Sequence, residues 1–441
     1  MKETIIQFGE GNFLRGFADY FIDKMNKQNI YDGKAVIVQP IPQGLADFIN
    51  EQNGIYNLYL RGIENGEEIC ERTEIASVSR CINPYSDYES FLSLARNPDM
   101  RVIISNTTEA GIAYDSSNRF SDKPANSFPG KLTQLLFERF QSGLGGFIIL
   151  ACELIDNNGS ELKNCVIKYA HQWQLGDDFL KWLRDENHFC NTLVDRIVTG
   201  YPKEEADRLC NEIGREDKLL DTAEIFHLWV IEGDFEDEFP LKRAGVNVIW
   251  TKDASPYKKR KVRVLNGAHT SMVFPALLCG IETVGECLKD EQISTFLKKC
   301  LFDYIVPMLG ENDENIDFAA SVLERFANPY INHLLKSIAL NSVSKFSVRV
   351  LPTALDWKKA HGEYPKVTAV SLAALIEYYK SSDPNDDKSA IGFIRENDIK
   401  AIVSNGDLWG ADISDMGDAV AAAAEMIENH GIREAIKWAI S

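Results

Sequence analysis

The chain has 441 residues, enough for two or three domains at about 150 residues each and for a large buried core. Hydrophobic residues at 45% and charged residues at 26% are the proportions of an ordinary globular protein. The balance of 66 acidic against 47 basic residues, a formal net charge of −19, repels phosphate backbones and anionic lipid, which speaks against nucleic-acid or membrane partners.

The nine cysteines are scattered without a Cys-x-x-Cys pair, so neither a disulfide framework nor a thiolate zinc site is expected. Apolar runs such as 145–152 and 272–280 fall short of the roughly 20 residues that span a bilayer. The opening Met1-Lys2-Glu3-Thr4 leads straight into a strand-like segment and leaves no room for a secretory leader, which predicts a cytoplasmic protein with reduced thiols.

In chain order, the spacing predicts a buried strand at 4–8, glycine punctuation, and an amphipathic helix from Asn12 to about Lys27. Strands follow at 34–38, 101–105 and 146–151, with a helix at 129–140 and an inserted hairpin formed by 55–61 and 68–79. The tract 156–215 reads as polar and mostly helical, and 246–251 as a last strand. From Tyr257 to Ser441 nearly every segment has helical spacing, without strand signals. The alternation in the first part and its loss in the second predict a nucleotide-binding type of α/β domain followed by an all-helical one.

Four stretches could carry chemistry. Phe8-Gly9-Glu10-Gly11-Asn12-Phe13-Leu14-Arg15 follows the first strand and opens the first helix, where free backbone N–H groups can cradle a pyrophosphate. Leu14 stands where a third glycine is usual, and by itself the stretch is a weak signal whose plainer reading is a glycine turn between a strand and a helix. Ser105-Asn106-Thr107-Thr108-Glu109-Ala110-Gly111 and Cys152-Glu153-Leu154-Ile155-Asp156-Asn157-Asn158 each follow a strand, at the sheet edge where a nicotinamide or substrate binds, or where a polar turn simply caps the next helix. The second strand ends in Val38-Gln39-Pro40, without the carboxylate that often holds the adenosine ribose, which leaves NAD or NADP open.

The fourth is the constellation of Lys261, Asn266 and His269. At about 100° per residue of regular helix, Asn266 falls near 140° and His269 near 80° from Lys261, on one broad face. Reducing a carbonyl by hydride calls for a group that protonates the developing alkoxide and for donors that hold it. A lysine can protonate it where nearby cations, here Lys258, Lys259, Arg260 and Arg263, make its proton easier to lose; Asn and neutral His are the donors. The plainer reading is a solvated basic helix with a core histidine. No metal-ligand spacing appears among the histidines, and a metal is not expected.

Taken together, these residues resemble the long-chain mannitol dehydrogenase family of zinc-independent polyol and sugar-acid dehydrogenases. Its Lys-x4-Asn-x2-His signature is met by Lys261, Asn266 and His269, and its Gly-x-Gly-x-Phe-x-Arg turn by Gly9, Gly11, Phe13 and Arg15. The resemblance implies an α/β Rossmann-type domain over 1–253 and an all-α catalytic domain over 254–441. It further implies NAD bound by Phe8, Gly9, Gly11, Asn12, Phe13, Arg15, Asn106, Thr108 and Glu109, with Lys261 as acid/base. Val194-Asp195-Arg196-Ile197 and Arg325-Phe326-Ala327-Asn328-Pro329 look like family landmarks near the substrate, and Lys345 matches a shared lysine position. The likeness is strongest to the hexuronate-metabolising members, which implies interconversion of D-tagaturonate and D-altronate. Arg325 or Lys345 is then the candidate for the substrate carboxylate. Reduction of fructuronate, mannitol-type polyol oxidation, and a non-catalytic nucleotide-binding protein are the alternatives. Mannitol-type members carry Cys-Asp-Asn where this chain has Cys152-Glu153-Leu154. The oxyanion asparagine is therefore replaced by Leu154, with Asn157 or Asn158 as possible substitutes.

Overall fold

The computed structural model describes residues 1–441. Its chain divides into two compact units, Met1–Arg61 with Glu68–Ser255, and Gly62–Glu67 with Pro256–Ser441.

Unit one contains the strands β1 (Lys2–Phe8), β2 (Gly33–Val38), β3 (Tyr56–Glu64), β4 (Glu67–Ile75), β5 (Val78–Ile82), β6 (Val102–Ser105), β7 (Ile148–Ala151), β8 (His188–Cys190), β9 (Thr192–Asp195), β10 (Asp221–Glu224), β11 (Leu228–Glu232) and β12 (Val248–Thr251), apart from the β3–β4 tip that the division assigns to the second unit. Six of them form a parallel sheet in the order β5-β2-β1-β6-β7-β8. Both faces are covered, which explains the continuous apolar runs. Ile6 and Phe8 of β1 pack into one cluster with Val36, Val38 and Ile103, while Ile5 packs into another with Phe17, Phe21 and Trp229. Strand order reverses between β1 and β6, so the carboxyl ends of those two strands flank the crevice where open α/β sheets bind ligands. Two small sheets, β10-β3-β4 and β12-β11-β9, complete the unit.

Several expectations change in detail. The helix expected over 12–27 is broken into Asn12–Arg15 and Ala18–Lys27. The polar tract 156–215 holds helices at Asn158–Gln172, Asp177–Asp185 and Ala206–Ile213, but also β8 and β9. Strands β10 and β11 had no counterpart in the sequence reading; all four residues of Asp221-Thr222-Ala223-Glu224 are buried and three are polar, so no apolar pattern marks β10, whereas β11 is a plain apolar run, Leu228-Trp229-Val230-Ile231, that was missed.

The second unit is helical apart from the hairpin tip. Its center is the helix Lys366–Ser381, buried from Val367 through Ile376 and packed against Gly267–Leu278, Gly417–His430 and Ile432–Ile440. The Ser371 hydroxyl donates to the carbonyl of Ser271 at 2.8 Å and so ties the first two helices together. No helix of the chain is long and apolar enough to cross a membrane.

Candidate active site

In the first unit, the two motifs after β1 and β6 meet. The Asn106 N–H donates to the Phe8 carbonyl at 3.0 Å and the Gly9 N–H to the Val38 carbonyl at 3.2 Å. Gly9 has φ +120°, and a Cβ there would lie 2.7 Å from the Asn106 carbonyl oxygen, so only glycine fits. A Cβ on Gly11 would meet no atom within 4 Å, which leaves open the space where a pyrophosphate approaches backbone. A cavity of about 310 Å³ is lined by Phe13, Asn106, Thr108, Glu109 and Leu154. Four of the residues expected to bind the cofactor are thus gathered around one cavity, with Leu154, 62% exposed, as the fifth wall.

Thr108 has φ +74°, an outlier for a β-branched residue. Such a conformation costs about 1–3 kcal/mol and is kept where the surroundings enforce it, most often at ligand sites. The brace is Glu153, which sequence reasoning passed over. Its buried carboxylate accepts from the Ser105 hydroxyl, the Thr107 N–H and the Thr107 hydroxyl, each at 3.0 Å, and burial raises its pKa. The Asn106 amide donates to the Cys152 carbonyl at 2.7 Å.

Other expected ligand residues are committed to the protein. Phe8 is fully buried against Phe91 and Phe128. Arg15 is buried with its guanidinium given to the carbonyls of Glu10 and Leu219 and to Asn12. It holds the turn in shape instead of reaching outward. Asn158 is buried too; its Nδ2 donates to the Glu153 and Thr192 carbonyls, and its Oδ1 accepts from the Gly159 and Thr192 N–H groups. Asn157 is exposed in a left-handed conformation and caps nothing with its side chain. Asp195 is buried at the end of β9, opposite Leu228. After β2, the Gln39 amide donates to the Ile41 and Pro42 carbonyls and its oxygen accepts from the Ala46 N–H, so the neutral donor seen in the sequence is used up. A carboxylate does lie near that loop: a Cβ on Gly44 would touch Oε1 of Glu10 and the Gln39 amide. Burial raises the pKa of Glu10.

In the second unit, Lys261 ends the helix Ser255–Lys261, a π-helical turn runs over Val262–Asn266, and the helix continues over Gly267–Leu278. Such turns close i→i+5 hydrogen bonds and hold one residue more than a regular turn. The uniform 100° step assumed from sequence therefore fails here. With one residue absorbed, Asn266 and His269 fall at about 40° and about −20° from Lys261, a stripe narrower than expected. A second π-helical turn, Cys300–Ile305, packs against the first. The Gly267 Cβ position is 3.0 Å from the Arg349 carbonyl oxygen, so the helix is held tightly from that side.

The His269 ring stacks on Phe326 at 4.0 Å between centroids and meets His333 edge-on at 5.1 Å. Its Nε2 is buried and has no hydrogen-bond partner. An orphaned polar atom in a native structure asks for an explanation, and a ligand oxygen is one. Burial first, then the charges of His333, Arg325, Arg349 and Lys345, push its pKa well below the ordinary histidine range, so the ring stays neutral. Both expected carboxylate cations, Arg325 and Lys345, thus bear electrostatically on His269. Of the basic neighbors of Lys261, Arg260 is paired with Glu314 at 3.3 Å and Arg263 with Asp356 at 2.5 Å, so their charges are compensated locally. Nowhere do three or more His, Cys, Asp or Glu side chains converge in a way that could hold a metal ion.

The first unit thus offers a glycine turn, open space and a cavity at the strand-order reversal, which fits a dinucleotide. The second offers an ammonium, an amide and a neutral imidazole on one stripe, which fits proton delivery to an oxygen. Comparison with known proteins bears on the fold and the family. The mannitol dehydrogenase Rossmann domain matches residues 3–242 and the mannitol dehydrogenase C-terminal domain residues 253–430. An altronate oxidoreductase of Klebsiella pneumoniae is 43% identical, over 99% of this chain and 96% of its own. One from Escherichia coli is 47% identical over 86% of this chain and 80% of its own. Among solved structures, a D-sorbitol dehydrogenase in substrate-free form superimposes with TM-score 0.88 at 23% identity, covering 99% of this chain and 95% of that one. A Pseudomonas fluorescens mannitol 2-dehydrogenase, solved with NAD and D-mannitol, gives TM-score 0.71 at 21% identity, covering 99% and 94%. These likenesses show the fold, and the two domain matches, spanning nearly the whole chain, show that it belongs to the mannitol dehydrogenase family.

Proposed function

We propose that this chain is a nicotinamide-dependent oxidoreductase that interconverts D-tagaturonate and D-altronate, with NAD(H) as cofactor. The observation that carries the reading is the stripe of Lys261, Asn266 and His269, with a buried and unpartnered Nε2 on the last of them. The relatives named for altronate support the substrate class.

The nicotinamide, when bound, supplies or accepts the hydride. The Gly9–Gly11 turn and the cavity lined by Phe13, Asn106, Thr108 and Glu109 bind and orient the dinucleotide. On reduction, Lys261 gives a proton from its ammonium group to the substrate oxygen; on oxidation, the neutral amine takes one back. Asn266 donates its amide N–H to the same oxygen, and His269 donates from Nε2, remaining neutral because burial disfavors the imidazolium. Preference for NAD(H) over NADP(H) is supported by the Glu10 carboxylate near the loop after β2, which would repel a 2′-phosphate, while no arginine stands at the strand's end to attract one.

Polyol oxidation of the mannitol type is disfavored by Leu154, an apolar wall of the cavity. The test is a substrate panel followed by nicotinamide absorbance. D-tagaturonate with NADH should give the highest kcat/KM, above D-fructuronate, D-fructose and any substrate with NADPH. Equal or better efficiency with NADPH would refute the cofactor preference, and preference for fructuronate or fructose the substrate.

A further inference from the structure

We infer that Arg349, with Lys345 one turn before it on the helix Ser342–Arg349, binds the carboxylate of the substrate and selects sugar acids over neutral ketoses; this rests on the sugar-acid reading above. The starting point is a charge left uncompensated. In a chain of net charge −19, three arginines of the helical unit have carboxylate partners, Arg260 with Glu314, Arg263 with Asp356, and Arg433 with Asp290 at 2.7 Å, and Arg395 donates to the Tyr379 and Ser382 carbonyls. The Arg349 guanidinium is half-buried, has no such partner, and is held below its usual pKa by burial alone. Lys345 is also half-buried. Its ammonium makes one hydrogen bond, to the Ile338 carbonyl at 2.9 Å, which leaves two donors over. Burial and then Arg349 lower its pKa.

Two like charges at i,i+4 on one helix repel each other, and half-burial adds to the cost. The carboxylate that acts on Lys345 is Asp386, and it is already engaged. Its oxygens accept from the Tyr379 hydroxyl at 2.6 Å, the Val343 N–H at 3.0 Å and the Asp387 N–H at 2.8 Å. Asp386 thus offsets the Lys345 charge in part and from a distance, and no carboxylate forms an ion pair with Arg349. The helix of Lys345 and Arg349 packs against Gly267–Leu278, the helix that carries His269, with the Arg349 carbonyl oxygen 3.0 Å from the Gly267 Cβ position, and both cations act electrostatically on the imidazole that faces the reacting oxygen in the proposed chemistry. In D-tagaturonate the carboxylate stands at the opposite end of the carbon chain from the keto group, so an anion site offset from His269 is what the substrate requires. A planar guanidinium fork matches a carboxylate, and the lysine adds a point charge beside it.

The test compares D-tagaturonate with D-tagatose, its neutral counterpart, through the ratio of their kcat/KM values in the presence of NADH. Arg349→Ala should lower that ratio by about 10²-fold or more, chiefly through KM for the acid, because one side of a desolvated charge pair is removed. Arg349→Lys, which keeps charge and loses the fork, should give an intermediate ratio. Lys345→Gln should lower it by about tenfold. Arg349→Lys also serves if the alanine variant fails to fold. An unchanged ratio in a folded Arg349 variant would overturn the assignment while leaving the sugar-acid reading intact. A parent enzyme that prefers D-tagatose would overturn that reading, and this inference with it.

Discussion

In the proposed reaction the turn after β1 and the helix that carries Lys261 do complementary work by different structural means. The first is built from local rules: a strand, a glycine at φ +120° that nothing else can replace, and a helix start, all within a few residues. The second depends on an irregularity, the π-helical turn Val262–Asn266, and on neighbors distant in sequence: Phe326 and His333 against His269, and the Arg349 carbonyl against Gly267. Damage to the first should therefore appear in cofactor affinity, and damage to the second in the chemical step.

The sharpest contrast lies in the oxygen-holding donors. Asn266→Ala and His269→Ala should each lower kcat by about 10²-fold, as loss of a single oxyanion donor does. Steady-state rates beside NADH binding titrations would check this, and a fall in NADH affinity with unchanged kcat would reverse the division of labor. Next come the two glycines. Gly9→Ala forces a Cβ to 2.7 Å from the Asn106 oxygen, so both thermal stability and cofactor affinity should fall. Gly11→Ala meets no protein atom, so Tm should hold while NADH binding weakens by about tenfold. Equal Tm losses in the two variants would show that the space above Gly11 is not kept open for a ligand.

A smaller effect is expected at Leu154. Leu154→Asn would restore a donor at the cavity wall and should raise mannitol oxidation a few-fold while costing D-altronate oxidation about as much. A panel of both substrates decides it, and no change in either would detach Leu154 from specificity.

The smallest effect concerns stability beneath the turn. Asp19 and Asp221 are buried, with pKa values pushed up to about 7 mainly by desolvation. Between about pH 4 and about pH 7 the folded protein keeps protons that the unfolded chain has released, so these groups make stability fall as pH rises through that window. Asp19→Asn should flatten the fall, seen as a urea midpoint that gains on the parent more at pH 8 than at pH 5. A gain larger at the acidic end would contradict the raised value.

What could be read from the sequence follows the same division. The turns after β1 and β6 were legible as turns because turn chemistry is local, while the cofactor role given to their residues came from the family resemblance; the change from alternating strands and helices to helices alone was legible from periodicity. The π-helical turn was not, because one absorbed residue leaves no compositional trace in Val-Arg-Val-Leu-Asn. Nor were the internal roles of Arg15 and Asn158, whose partners Leu219 and Thr192 lie far along the chain. Arg349, set between two valines, reads as an ordinary surface helix residue until the missing carboxylate around it is seen.

The most direct test of the account is Lys261→Ala, assayed for D-tagaturonate reduction with NADH and for NADH affinity in the same preparation. Loss of a positioned proton donor should lower kcat by about 10²–10⁴-fold, with NADH affinity within about twofold of the parent. Turnover within a few-fold of the parent in a folded Lys261→Ala variant would contradict the mechanism, whatever the substrate.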